Sequence, residues 1–271
     1  LEVLKNMRCE IESYILNKVI NCFSLFSGVS EMTFNDDGLF VSVISPDYSI
    51  LTRFLLKKEL FISYEIEETE SVIVDVPVFK QIINKTPKSE VIKLETLDHK
   101  LNIEWKKRKY NIPMFVEPKC QTYIQQKTIE NLVEVQINKK EFLDILKELK
   151  GVDMIEIQLT ANENFLSFYG YNDRSDVVID TEDLVVNNFE KPVSSTYELT
   201  SILKIMKELS DANEIYIKFG ADTPIQITAE YNYDLDDLVI EYFLAPRNVY
   251  EEDDYEEDED NEEDTDQLGD E

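Results

Sequence analysis

Lys139-Lys140-Glu141-Phe142-Leu143-Asp144-Ile145-Leu146-Lys147-Glu148-Leu149-Lys150, a short polar break, and then Met154-Ile155-Glu156-Ile157-Gln158-Leu159 is the stretch that decides how this chain folds. Phe142, Leu143, Leu146 and Leu149 recur at the spacing that puts apolar side chains on one face of a helix. The segment after the break alternates, as a half-buried strand does. The same helix-then-strand unit recurs outward in both directions. Helices are expected over Ser13 to Phe26, Pro77 to Lys85, Lys139 to Lys150 and Thr200 to Leu209. Each is followed by an alternating segment: 31–34, 90–94, 154–159 and 214–219. Helix starts fall roughly 60 residues apart, a period that signals an array of like modules. One helix with several strands per module suits an α+β fold whose helices cover one face of antiparallel sheets. Four modules in line give a curved body rather than a cleft, which leans away from an enzyme.

Composition agrees. The chain has 271 residues, with 14 Phe, 14 Tyr and 1 Trp, enough to fill a large core or two medium ones. Many Ile and Val favour strands, and 6 Gly with 8 Pro leave no flexible linker. No run approaches the ~18 apolar residues of a membrane span, and no secretory leader is read ahead of the first module. The expectation is an intracellular protein, in the cytoplasm or nucleoid of a prokaryote or the nucleus of a eukaryote. The sequence starts at Leu1, with Met7 a candidate natural start. Cys9, Cys22 and Cys120 are widely spaced and read as free thiols. With His99 the single histidine, neither a metal site nor a nucleophile–histidine pair is readily built, so no cofactor or metal is expected.

The net charge of −30 is unevenly placed. Beyond Arg247 there is no basic residue and 15 of the 57 acidic ones, which leaves 42 acidic against 27 basic residues in the body. From Tyr250 onward the tail lacks the apolar residues to fold and is expected to be disordered. An acidic body contacts nucleic acid only through a local patch, and the helices hold one. Lys140, Lys147 and Lys150 belong to the third helix, Lys204 and Lys207 to the fourth, Lys80, Lys85 and Lys88 to the second and its exit, and Lys18 to the first. With their apolar sides on a sheet, these lysines face away from it in one layer, as mobile point charges suited to phosphates. The plain alternative is solubilising decoration, and Glu141, Glu148 and Glu208 dilute the pattern.

Lys218-Phe219-Gly220-Ala221-Asp222-Thr223-Pro224-Ile225, followed after one more hairpin by Tyr242-Phe243-Leu244-Ala245-Pro246-Arg247, resembles the carboxy-terminal end of the archaeal and eukaryotic sliding clamps, the proliferating cell nuclear antigen (PCNA) family. Asp37-Gly38-Leu39 with Ser45-Pro46-Asp47-Tyr48-Ser49-Ile50-Leu51, Arg108-Lys109-Tyr110-Asn111-Ile112-Pro113-Met114, and Lys139-Lys140-Glu141-Phe142 resemble earlier parts of that family, in the right order.

The resemblance implies two similar clamp domains, 1–115 and 132–248, joined by a connector over 116–131, with the acidic tail over 249–271. Three such subunits, alike or different, would close head to tail around double-stranded DNA, with the nine lysines named above facing it. Such a ring does no chemistry; it tethers DNA polymerase, clamp loader and other clients that carry short clamp-binding peptides, and so raises processivity in replication and repair. The client pocket would draw on Ile44, Tyr48 and Leu51, on Tyr123 and Ile124 of the connector, on Thr223, Pro224 and Ile225, and on Tyr242, Phe243, Leu244, Ala245 and Pro246. The subunit interface would pair Asn111, Ile112, Met114 and Phe115 with Asp176, Val177, Val178 and Ile179 of the next chain.

Departures from the family pattern are Ser45 in place of an Asp, a more polar and less acidic connector, and a first helix poor in cations. Lys106-Lys107-Arg108-Lys109 beside Trp105 reads either as a further DNA contact or as a charged turn guarding a strand edge. The rival readings are a specialised clamp subunit of viral, plasmid or checkpoint type, an acidic chaperone or DNA mimic acting through the tail, and a carboxylate-dependent nuclease, for which no compact Asp/Glu set is found.

Overall fold

A computed structural model of the chain describes residues 7–24, 28–116, 132–181, 184–209, 212, 214–231 and 238–247. Its elements run twice through one series. The first pass is β1 (Arg8–Glu12), α1 (Ser13–Ser24), β2 (Val29–Asn35), β3 (Gly38–Ile44), β4 (Ile50–Lys57), β5 (Ser63–Glu65), β6 (Glu70–Asp75), α2 (Val76–Ile83), β7 (Val91–Leu97), β8 (Lys100–Trp105) and β9 (Arg108–Pro113), with a short 3-10 turn at Lys58–Leu60. The second pass is β10 (Val133–Asn138), α3 (Lys139–Gly151), β11 (Glu156–Ala161), β12 (Leu166–Asn172), β13 (Ser175–Asp180), β14 (Val185–Asn187), β15 (Val193–Glu198), α4 (Leu199–Glu208), β16 (Glu214–Phe219), β17 (Ile225–Tyr231) and β18 (Leu238–Leu244).

Helix boundaries follow local chemistry. Asp75 caps α2 by accepting from the Val78 N–H at 2.9 Å, and Pro77 occupies the first turn, where its missing N–H costs nothing. Asn138 caps α3 by accepting from the N–H groups of Lys140 (3.0 Å) and Glu141 (3.3 Å). At the far end of α3 the Met154 N–H returns to the Leu149 carbonyl. The next strand therefore opens at Glu156, two residues later than the alternation suggests. Lys85 lies beyond α2, whose C-cap is Asn84.

The four units do not each own a sheet. All observed ladders are antiparallel and form three sheets, ordered β5-β1-β7-β8-β9, β14-β10-β16-β17-β18-β4-β3-β2-β6 and β13-β12-β11-β15. Every helix leaves one sheet and delivers the chain to another: α1 leads from β1 to β2, α2 from β6 to β7, α3 from β10 to β11, and α4 from β15 to β16. Packing the helices over the sheets buries Leu16, Val19 and Phe23 of α1, Phe79 and Ile83 of α2, Phe142, Leu146 and Leu149 of α3, and Ile202, Ile205 and Met206 of α4. Each such side chain contributes about 1.5–3 kcal/mol. The two passes join where β18 pairs with β4, from Leu238 opposite Leu56 to Leu244 opposite Ile50.

Candidate nucleic-acid and partner interfaces

Lysines of the helix layer divide by helix. Lys140, Lys147 and Lys150 on α3 and Lys204 and Lys207 on α4 are exposed. Of these only Lys147 carries an ion pair among the described residues, to Asp144 at 3.1 Å within its own helix; being exposed, that pair is weak. Lys85 and Lys88 are exposed in the turn from α2 into β7.

Lys18 and Lys80 correct the expectation of open, DNA-facing charges. Lys18 Nζ lies 3.5 Å from the centroid of the Tyr231 ring, a cation–π contact, and Lys80 Nζ donates to Ser24 Oγ at 2.7 Å. Both are half-buried where the two passes meet. There burial raises the Glu208 carboxyl above its ordinary value, with Lys80 opposing the shift. In the same region Tyr242 Oη donates to the Cys22 carbonyl at 3.1 Å, and burial pushes the Cys22 thiol up to about 12.

The residues expected to form a client pocket come from chain segments far apart in sequence. Ile44 stands opposite Leu51, and Leu51 opposite Phe243, so the three form one row across β3, β4 and β18. All three are half-buried, on the sheet face opposite the core. The Ala245 N–H donates to the Ser49 carbonyl at 2.9 Å, holding the early loop against the last strand. That loop closes on Asp47, which accepts from Ser45 Oγ (2.5 Å), Ser49 Oγ (2.9 Å) and the Ser49 N–H (3.2 Å). These bonds hold the Asp47 carboxyl below its ordinary value, and they show what Ser45 does at its unusual position. Tyr48 takes a left-handed conformation (φ 59°) and is 65% exposed at the rim. Thr223 and Pro224 are half-buried, their turn fixed by Tyr197 Oη donating to the Thr223 carbonyl at 2.8 Å.

Ile225, Tyr242 and Leu244 are corrected out of the pocket: they are fully buried in the core. The strand period of two explains it, since neighbours of Phe243 must face the other way. Ala245 is exposed and Pro246 half-buried, where a partner can touch them. Tyr123 and Ile124, the connector after Val116, and the acidic tail lie outside the described residues.

β9 and β13 are the outermost strands of their sheets among the described residues. The Met114 N–H donates to the His99 carbonyl, so by alternation Ile112, Tyr110 and Arg108 point their amides at β8. Lys109 and Asn111 present theirs outward. Likewise the Thr181 N–H donates to Leu166, which leaves Asp176, Val178 and Asp180 pointing outward from β13. Three expectations change. Ile112 is buried, and the amides of Met114 and Phe115 are used within the chain, the latter on the Ile73 carbonyl. The Lys106–Lys109 hairpin is partly neutralised, Lys106 by Glu90 (2.6 Å) and Lys109 by Glu104 (2.5 Å), while Tyr110 stacks on Trp105.

Sequence reading missed the continuation of the pocket row. Gln226 stands opposite Phe243, Lys218 opposite Gln226, and Glu134 opposite Lys218, where the last two form an ion pair of 2.6 Å. Arg53 lies 5.3 Å from the Phe243 ring centroid. At the end of the row is a crevice of about 570 Å³ lined by Leu132, Phe189, Val193 and neighbours. The alternation of β16 to β18 was the available signal. Among the described residues no group of His, Cys, Asp and Glu could hold a metal ion, and no helix is long and apolar enough to cross a membrane.

No protein-family model matches the chain. The DNA polymerase sliding clamp of Methanococcus vannielii is 27% identical over 244 residues, which cover 85% of this chain and 94% of that one. The A. fulgidus PCNA solved with the C-terminal region of FEN-1 superposes with a TM-score of 0.80 at 15% identity, covering 89% of this chain and 98% of that one. A chain of the PCNA2–PCNA3 complex of Sulfolobus tokodaii gives a TM-score of 0.75 at 18% identity, over 89% and 99%. Sequence and fold thus agree along most of both partners: the chain is similar to an archaeal DNA polymerase sliding clamp and has the fold of the PCNA clamps.

Proposed function

We propose that the chain closes head to tail with two further clamp subunits around duplex DNA and tethers polymerases and repair enzymes to it, without chemistry of its own. One observation carries the reading. The element series repeats, so β9 is the counterpart of β18 and β13 the counterpart of β4. β18 and β4 pair within the chain, whereas β9 and β13 have no further neighbour among the described strands. The pairing that joins the two passes is therefore available a second time, between the β9 of one subunit and the β13 of the next. A head-to-tail contact of this kind gives a ring where the rotation from one subunit to the next closes on itself.

Charge supports the match. Lys107, Arg108 and Lys109 lie along or beside one edge, and Asp173, Asp176 and Asp180 along or beside the other. The same contact serves a homotrimer or a mixed ring. The domains would span 1–115 and 132–248, with the connector over 116–131 covering the Ile44–Leu51–Phe243 row, where an apolar anchor of a client peptide would seat. The tail over 249–271 would hang near this pocket. The lysines of the helix layer would meet phosphates without reading sequence.

Solution mass tests the reading. At micromolar concentration the chain, alone or with sister clamps from its source, is expected to run as three subunits, and Val178→Pro as one. A chain that stays monomeric in both settings would overturn it.

A further inference from the structure

The two helix pairs of this clamp present different chemistry to the space they would line. On α1 the outward residues are Tyr14, Asn17 and Asn21, with Lys18 drawn onto Tyr231. Asn21 Nδ2 donates to Asn17 Oδ1 at 2.8 Å, and Asn17 Nδ2 donates to Asn84 Oδ1 at 2.8 Å, which carries the chain of amides across to the end of α2. Gln81 is exposed on the same helix, and Lys80 is held on Ser24. A ladder of amides thus runs from Asn21 to Asn84, half-buried on α1, beside the exposed Tyr14, Pro77, Val78 and Gln81. By contrast α3 and α4 expose five lysines, beside the exposed Glu141, Asp144 and Glu148 of α3, and Lys140, Lys150, Lys204 and Lys207 have no ion pair among the described residues.

We infer that the ionic part of the DNA lining is carried by α3 and α4 of each subunit, while α1 and α2, whose two lysines are held within the protein, present a hydrogen-bonding surface that the duplex passes without ionic contact. This rests on the clamp reading and refines it: the grip alternates around the ring, with one helix pair whose lysines are open and one whose lysines are engaged within the protein in each chain. The physical distinction is measurable. A lysine that neutralises a phosphate releases a counterion, so each contact adds about 0.9 to the slope of log affinity against log salt. An amide that hydrogen-bonds a phosphate releases none. The cations of the first pass do not fill the gap on the helix faces, because Lys85 and Lys88 lie past α2 and Lys106 pairs with Glu90.

The test is the salt slope of ring binding to a short fluorescent duplex, with solution mass recorded for every variant. Lys140→Ala, Lys204→Ala and Lys207→Ala combined should lower the slope by about 2–3. Asn21→Ala with Gln81→Ala should leave it unchanged, and Gln81→Lys should raise it by up to about 1. Equal losses from the lysine and amide sets, or no loss from the lysine set in an intact ring, would overturn the inference. Retention of the unaltered ring on closed circular DNA, lost when the circle is cut, tests the clamp reading separately. Absence of retention removes that reading, whereas retention with equal losses removes only the alternation.

Discussion

The two passes of this chain build the same scaffold and dress it differently. In both, a strand leads into a helix, five strands follow, a second helix crosses back, and three strands finish. The buried stripes are alike: Leu16, Val19 and Phe23 on α1 do what Phe142, Leu146 and Leu149 do on α3. The outer faces are not alike. Amides and half-buried lysines mark the first pair of helices, and exposed lysines the second. The last strands differ as well, since β18 is paired inside the chain and β9 is an edge among the described strands. Packing constrains a position on the inner face whichever pass it belongs to, while outer positions and edges are set by what each pass must contact.

The comparison can be broken most severely at its edges. Val178→Pro removes the central outward amide of β13, and Asn111→Pro removes one from β9; neither amide serves the chain's own sheet. Either change alone should convert the ring to single subunits while the fold persists by circular dichroism. A ring surviving both would mean that these strands do not meet.

The equivalence of the inner faces predicts a matched pair. Leu16→Ala and Leu146→Ala each delete a buried side chain and should each cost about 2–5 kcal/mol in denaturant unfolding. A negligible loss in one helix with a full loss in the other would show that only one stripe is structural.

The Ile44–Leu51–Phe243 row proposed as a client site belongs to one side of the comparison only, where β4 and β18 meet. Ile44→Glu places a charge in the Ile44–Leu51–Phe243 row and should weaken a client peptide by at least about 2 kcal/mol, the scale of a hot-spot loss, with the ring intact. Full-strength binding in calorimetry would move the site elsewhere.

The smallest effect concerns the Asp47 loop. Its carboxyl is held below the ordinary value by Ser45 first and then Ser49, so the loop's stabilisation is complete above the ordinary aspartate range. It is lost as pH falls through the lowered folded value. Tyr48 resonances should therefore shift only at strongly acidic pH, and Asp47→Ala should abolish that step. A step that persists in Asp47→Ala would assign it to another group.

Much of the fold is legible in the sequence because amphipathic spacing is local. Phe142, Leu146 and Leu149 announce a helix wherever their sheet comes from, and the alternation over 214–219 matches β16 at both ends. Which sheet receives each strand is a long-range matter, and nothing in residues 31–34 says that they join strands from 133–244. The site divides the same way. Ile44, Leu51 and Phe243 were read from a family signature and do meet, because register across β3, β4 and β18 aligns them. Ile225, Tyr242 and Leu244 carry the same signature but belong to the opposite face. Lys18 and Lys80 look like any helix lysine until Tyr231 and Ser24 stand beside them.

Retention on DNA tests the central claim most directly. The assembled ring is loaded onto closed circular duplex and washed at moderate salt, and the circle is then cut once. The account predicts that the protein stays on the closed circle and leaves by the ends after cutting, and that Val178→Pro is not retained at all. Retention unaffected by cutting, or equal retention of Val178→Pro, would contradict a ring that holds DNA by encircling it.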